Sequence, residues 1–223
     1  MFRSIALLRR VALASLVANA LIVVTGSAVR LTGSGLGCPT WPRCTADSYT
    51  TTREMGLHGV IEFGNRTLTG LVGILALAAL VLAIFHKRRA FTVPATLVLV
   101  GIPAQAVLGG ITVLTDLNPW VVGCHFLVSM AVIVAAYTLW ARVSHVSHGI
   151  EEAAPIVTGP LRALVGVTCV TGAVTIMLGT VVTGSGPHAG DADARRNGLD
   201  PESIAQLHTD AVFLFLGLSL ALW

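Results

Sequence analysis

The sequence predicts an all-α integral membrane protein, and three observations carry that prediction. Of the 223 residues, 54% are hydrophobic and only 11% charged, with a mean hydropathy of +0.81, far too apolar for an ordinary soluble domain. The apolar residues gather into six runs of about the length that crosses a bilayer. Polar groups inside those runs are few and are concentrated in one stretch. The net charge of +3 is small, and no basic cluster with interleaved aromatics suggests a nucleic acid partner.

The first run covers 11–29, after a basic start containing Arg3, Arg9 and Arg10. A basic start, an apolar core and small residues near Gly26 to Ala28 also fit a secretory signal peptide, but this run is longer than a signal core and further spans follow. Asn19 inside it requires neighbouring helices to face. The connection 30–53 contains LTGSGLGCPTWPRC, whose Gly, Pro, Ser and Thr predict a structured, turn-rich loop. Further spans are expected at 57–85, 91–114, 120–141, 161–182 and 204–223. Pro94 and Pro103 in the third are compatible with a transmembrane helix, where neighbours satisfy a freed carbonyl.

Lys and Arg in alternate connections set the orientation. Eight lie on the side of the N-terminus, including Lys87, Arg88 and Arg89, against five on the other, which favours a cytoplasmic N-terminus in a cell membrane. Cys38 and Cys44 then lie outside, where a disulfide persists. Their spacing closes a small loop framed by Pro39 and Pro42, and no His or further Cys in the loop supports a metal site instead. Spacing leaves open whether such a disulfide is structural or redox-active. Cys124 and Cys169, in apolar spans, read as buried small hydrophobes.

An internal repeat organises the chain. TGSG occurs at Thr32 and again at Thr183, an offset of 151, and Leu57-His58 is echoed by Leu207-His208 at an offset of 150. Matched helix boundaries around both pairs imply two homologous halves of four spans each, 1–142 and the beginning of a second at 143–223. By that count two further spans, carrying a histidine about 150 positions after His125, are expected beyond Trp223.

The segment 56–73, GLHGVIEFGNRTLTGLVG, places His58, Glu62 and Arg66 at four-residue intervals, hence on one helical face, with Asn65 beside them. Such groups are costly in a bilayer unless they serve a site. His58, Glu62, His125 and His208 all fall within about two helical turns of an outer span end. A histidine at that depth is a ligand or proton carrier, and neutral imidazole ligates heme iron; a hydrogen-bonded packing role is the alternative for His125 and His208. His58, closer to the interface, stands between ligand and bystander. His86, His145, His148 and His188 read as solvated loop residues.

RLTGSGLGCPTWPRC, IEFGNR, AQAVLGG, CHF, TGSGPHAGDADARRNGLD and AQLHTD together resemble the heme A synthase family, in family order. The resemblance implies eight helices in two pseudosymmetric four-helix bundles, each holding a heme between histidines. The first half would bind the substrate heme O and the second a heme b cofactor. The family oxidises one ring methyl of heme O to a formyl group, giving heme A for terminal oxidases. By the resemblance Glu62 is the catalytic glutamate, His125 and His208 are heme ligands, and Cys38 and Cys44 are the outer-loop pair. One departure stands out: many relatives carry histidine three residues after the glutamate, where this chain has Asn65. His58 is then a candidate second ligand opposite His125, or the substrate iron has one strong protein ligand. Arg66 is expected to pair with Glu62, structurally or otherwise, or with a heme propionate.

Two rival classes fit parts of the pattern. A b-type cytochrome that only transfers electrons needs the histidines but not Glu62. A quinone-linked thiol oxidoreductase leaves the intramembrane histidines unexplained, and its single cysteine pair lacks CxxC spacing. A transporter built on the repeat would need broken substrate-binding helices, which nothing here resembles. Expected partners are heme O, membrane lipid, an electron partner and heme O synthase. Gly70, Gly73, Gly109 and Gly110 would permit close helix contact within the chain or in a homo-oligomer.

Overall fold

The computed structural model describes residues 2–149 and 159–223. It contains six α-helices: α1 (Phe2–Leu31), α2 (Gly56–Phe85), α3 (Arg89–Leu114), α4 (Pro119–Ser147), α5 (Gly159–Ser185) and α6 (Pro201–Ala221), with a short 3₁₀ turn at Arg53–Met55. All six helices are long and apolar enough to cross a membrane, and the protein is an all-α, multi-pass membrane protein. The connection between the fourth and fifth spans, 150–158, lies outside the described residues.

The helices outrun the apolar runs that predict them. α4 continues to Ser147 because Val143 is fully buried and Val146 packs against the same core, so burial sustains the helix beyond the hydrocarbon run. His145 therefore lies on a helix rather than in a loop. α4 begins where Asn118 accepts a hydrogen bond from the Trp120 amide and Pro119 presets the first turn. α6 begins similarly: the Asp200 carboxylate accepts from the Ser203 amide at 2.9 Å and its hydroxyl at 2.6 Å. Those two donors hold the Asp200 carboxyl below its ordinary range. Its cap is complete at neutral pH and is lost as the pH falls through that depressed value.

Helices α1 to α4 close a ring in which α1 meets α2 and α4, and α3 meets the same two. α2 and α4 are thus diagonal. α5 packs on α4, and α6 on α5.

The end of the bundle nearer the N-terminus is solid. Leu8, Ala12, Ala79, Ala83, Phe91, Ala95, Leu139 and Val143 form one core, followed outward by Ala76, Val98, Val132 and Ala136. Alanine at so many facing positions lets the helix backbones approach closely, which is how membrane helices gain packing energy without a hydrophobic drive between them.

At the opposite end the loops that follow α1 and α5 hold one another. The Gly35 amide donates to the Gly190 carbonyl at 2.8 Å. Arg30, at the end of α1, donates to the carbonyls of His188 and Thr183. Leu117 takes φ +56°, costly for a branched side chain, and in that conformation buries itself against Ala189 and Ala194.

Cys124 and Cys169 are exposed on the helix surface rather than buried. A span inside a bilayer faces lipid on one side, and a thiol is apolar enough to lie there. Asn19 is buried as expected and donates to the Ser15 carbonyl at 2.8 Å.

Phe91 is the largest of the fully buried side chains. Phe91→Ala is expected to cost about 3–5 kcal/mol of stability, read as a lowered midpoint of thermal unfolding in detergent. Phe91→Leu, which refills most of the volume, should recover the greater part of it.

Candidate functional site

Glu62 lies in the second turn of α2 and is 6% exposed. One carboxylate oxygen accepts from the Cys38 backbone amide at 2.5 Å. The other accepts from Arg66, one helical turn on, through Nε at 3.0 Å and through Nη2. Arg66 then turns to the loop: Nη2 donates to the Cys38 carbonyl at 2.9 Å, and Nη1 to the carbonyls of Thr40 at 3.0 Å and Arg43 at 3.3 Å. The ion pair that spacing suggested is present, and it clamps the outer loop onto α2.

Cys38 and Cys44 form a disulfide, and neither cysteine is exposed to any degree. It closes the segment 38–44 that supplies the partners of Glu62 and Arg66. The loop reaches α2 because Gly37 lies against the His58 carbonyl and the Gly59 amide, where a Cβ would collide with backbone. Trp41, further along the same loop, lies on Gly110 of α3, and any side chain there would run into the indole.

Beneath the loop a cavity of about 920 Å³ opens in the half of the bundle away from the N-terminus, at the upper end of the range for small-molecule and cofactor sites. Glu62, Asn65, Arg66, Gln105, His125 and His208 all contribute to its wall. The structure therefore brings together Glu62, Asn65 and Arg66 of α2, His125 of α4 and His208 of α6, with Glu62 and His125 on diagonal helices. Among the described residues no three His, Cys, Asp or Glu side chains are grouped to hold a metal ion directly.

His125 and His208 have matching surroundings. The Nδ1 atom of each is buried without a hydrogen-bond partner, and each ring lies against a glycine. A Cβ on Gly109 would stand 3.4 Å from Cε1 of His125, and one on Gly179 would stand 3.2 Å from Cε1 of His208.

His58 lies elsewhere. Its ring is exposed, exchanges a hydrogen bond with Ser34 at 2.9 Å, and lines a separate outer pocket with Thr32, Met55 and Asp191. It does not line the larger cavity. The reason is the register of the repeat: His58 is two residues from the start of α2, whereas His208 is seven from the start of α6. Asn65, nine residues into α2, is closer to the helical position of His208. It is hydrogen-bonded to Thr25 at 2.7 Å, and its amide lies 3.9 Å from a Cβ built on Gly26 of α1, much as His208 lies against Gly179 of α5. The Leu-His pairs that suggested the repeat are thus not equivalent positions.

Sequence reasoning also missed Gln105 and Arg30. Gln105 donates to the His125 carbonyl at 3.1 Å and to Ser129. A lone glutamine in an apolar span was the available signal, since such a group is retained there only with partners. Arg30 closes α1, and only the packing of the loops after α1 and α5 reveals its role.

Removing one partner of a buried ion pair leaves an uncompensated charge. Arg66→Met is expected to destabilise the protein by about 3–5 kcal/mol. In a thermal-unfolding cycle in detergent, adding Glu62→Gln should recover part of that loss, with a coupling of about 0.5–3 kcal/mol.

A family model described as cytochrome oxidase assembly protein, COX15-CtaA, matches residues 9–191. The heme A synthase of Geobacillus kaustophilus is 30% identical over 149 residues, covering 60% of this chain and 45% of the relative. That of Bacillus pumilus is 32% identical over 117 residues, 49% of this chain and 36% of the relative. That of Exiguobacterium sibiricum is 30% identical over 113 residues, 49% of this chain and 37% of the relative. The chain thus spans less than half the length of these relatives. No solved structure matches. The family match runs from the first turns of α1, through the Glu62 clamp and the His125 helix, to the loop that receives Arg30, and on that extent the chain belongs to the COX15-CtaA family of cytochrome oxidase assembly proteins.

Proposed function

We propose that the chain carries the substrate half and the beginning of the cofactor half of a heme A synthase, an oxidoreductase that converts a ring methyl of heme O to the formyl group of heme A. The observation that carries this reading is the shared cavity wall: a paired, buried carboxylate, Glu62, and an imidazole, His125, on opposite helices of one bundle. The cavity is large and mostly apolar, its two histidines have Nδ1 atoms with no protein partner, and a glycine clears space beside each ring. These features fit heme.

In this reading residues 1–142 hold heme O through His125, and 143–223 begin the half that holds heme b through His208. Heme iron, when bound, would supply the redox chemistry: turning the methyl into a formyl group takes up the oxygen of one water and releases four protons and four electrons, the electrons passing to a redox partner. The protein's own contribution is electrostatic. Breaking a C–H bond at the porphyrin edge builds positive or radical character, which a fixed carboxylate in a water-poor cavity stabilises, and the released proton needs an acceptor. Glu62 supplies both functions. Arg66 and the Cys38 amide hold its carboxylate in place, so no reorganisation is needed as charge develops. The loop bearing the disulfide lies over the cavity as an outer cover, in a cell membrane with the N-terminus cytoplasmic. Heme O synthase, as the source of substrate, and a second copy of the chain are the further partners this reading implies.

Glu62 also separates this reading from an electron-transferring b-type cytochrome, which has no use for a carboxylate beside the methyl carbon. In the full-length protein supplied with heme O, Glu62→Gln should retain bound heme and lower heme A formation about 10²–10⁴-fold, measured by chromatography of extracted hemes. Heme A formed at the wild-type rate by that variant would remove Glu62 from the chemistry.

Asn65 cannot replace an imidazole as a strong iron ligand, and His58 lines a different pocket. The substrate heme is therefore expected to be high-spin, with His125 its one strong protein ligand. Optical and paramagnetic resonance spectra should show conversion to a low-spin form in Asn65→His and no change in His58→Ala. Loss of the substrate-heme signal in His58→Ala would restore His58 as a ligand.

A further inference from the structure

Gln105 is anchored on one side only. Its Nε2 donates to the His125 carbonyl and to Ser129, and Ser129 itself donates to the same carbonyl at 3.1 Å. A carbonyl oxygen can only accept, so the amide orientation is forced: the nitrogen faces α4 and Oε1 faces away from it. Oε1 is buried and has no donor among the described residues, while the side chain lines the large cavity. A buried acceptor without a donor costs about 1–3 kcal/mol, and the two bonds made by Nε2 leave that acceptor unmatched. An apolar residue would avoid the cost.

Position indicates what donates. Gly109, one turn along α3 from Gln105, lies beside the His125 ring. Gln105 therefore sits about 6 Å deeper along α3 than the glycine beside that ring, by helical rise. Around it the wall is apolar, with Ile102, Ala106, Phe126 and Val132, and beyond lies the solid core of Ala76, Val98 and Ala136. A ligand donor at this depth has to sit on a side group that reaches inward from the ring and is otherwise apolar. Resting on the heme O reading above, we propose that Gln105 Oε1 accepts a hydrogen bond from the hydroxyl on the isoprenoid substituent of heme O, and so makes Gln105 a specificity-determining residue for that substituent. The greasy chain then continues along the apolar wall. The same side chain, through its nitrogen, fixes the backbone of His125, so recognition of the tail and placement of the iron ligand share one residue.

The test compares heme O with its side-chain methyl ether, which has the same ring and tail but no hydroxyl proton. Both are titrated spectroscopically into the full-length protein. Wild type is expected to bind heme O about tenfold more tightly, the ratio that corresponds to about 1.4 kcal/mol. Gln105→Met, close in length and apolar, also loses the bond to the His125 carbonyl and so weakens both hemes, but it should weaken heme O about tenfold more than the ether, abolishing the preference. The wild-type comparison needs no variant, so it stands even where Gln105→Met fails to fold. Equal binding of the two hemes by wild type, with heme still bound through His125, overturns the role of Gln105 and leaves the heme O reading intact. Equal weakening of both by Gln105→Met reduces Gln105 to a support for α4 and likewise overturns it. Failure of wild type to bind either heme overturns the underlying reading as well.

Discussion

A carboxylate buried in an apolar helix has to be matched, and the half of this protein away from the N-terminus is arranged around matching Glu62. Its charge is balanced one turn away by Arg66, but a guanidinium has more donors than a single carboxylate can use. The surplus goes to the carbonyls of Cys38, Thr40 and Arg43, and the second carboxylate oxygen takes the Cys38 amide. The outer loop is thereby held down onto α2 by four backbone groups. Glycine at 37 and 110 follows from that descent, because the loop and its Trp41 come too close to the helices for any side chain. The disulfide closes the same few residues, so the ion pair and the covalent link act on one segment.

The division of the bundle into a solid half and a hollow half gives the site its depth. Alanines draw the helices together at the end nearer the N-terminus. Toward the other end glycines and polar groups stand among the aliphatic and aromatic side chains facing inward, and the space between the helices opens into the cavity. The open end is held by contacts between the two repeat loops, through Arg30, the Gly35 amide and the strained Leu117. A cavity that reaches both His125 and His208 depends on those contacts keeping α5 and α6 against the first four helices.

The chemistry proposed for the site asks little movement of the protein. Glu62 is held through both oxygens, His125 has its backbone fixed by Gln105 and Ser129, and the two face the cavity from diagonal helices. Preorganisation of this kind is where electrostatic catalysis obtains its effect.

Much of this was legible in the chain. Hydrophobic runs located all six helices, since a bilayer demands about twenty apolar residues per span. Four-residue spacing anticipated the Glu62–Arg66 pair, because helix geometry alone brings such positions together. The cysteines paired as their spacing and side of the membrane suggested. What spacing could not supply was register between elements. His58 shares a helical face with Glu62 but lies just over a turn nearer the helix start, where the loop, through Ser34, claims it. Asn65 approaches the position of His208 only once the two helix starts are known. Arg30 and Gln105 acquired roles from partners 153 and 20 residues away. Local sequence determined which residues are polar inside the membrane and which face of their own helix they occupy. Only the tertiary structure decided which of them look into the same space, because that depends on helix offsets of a few residues set by loops and packing.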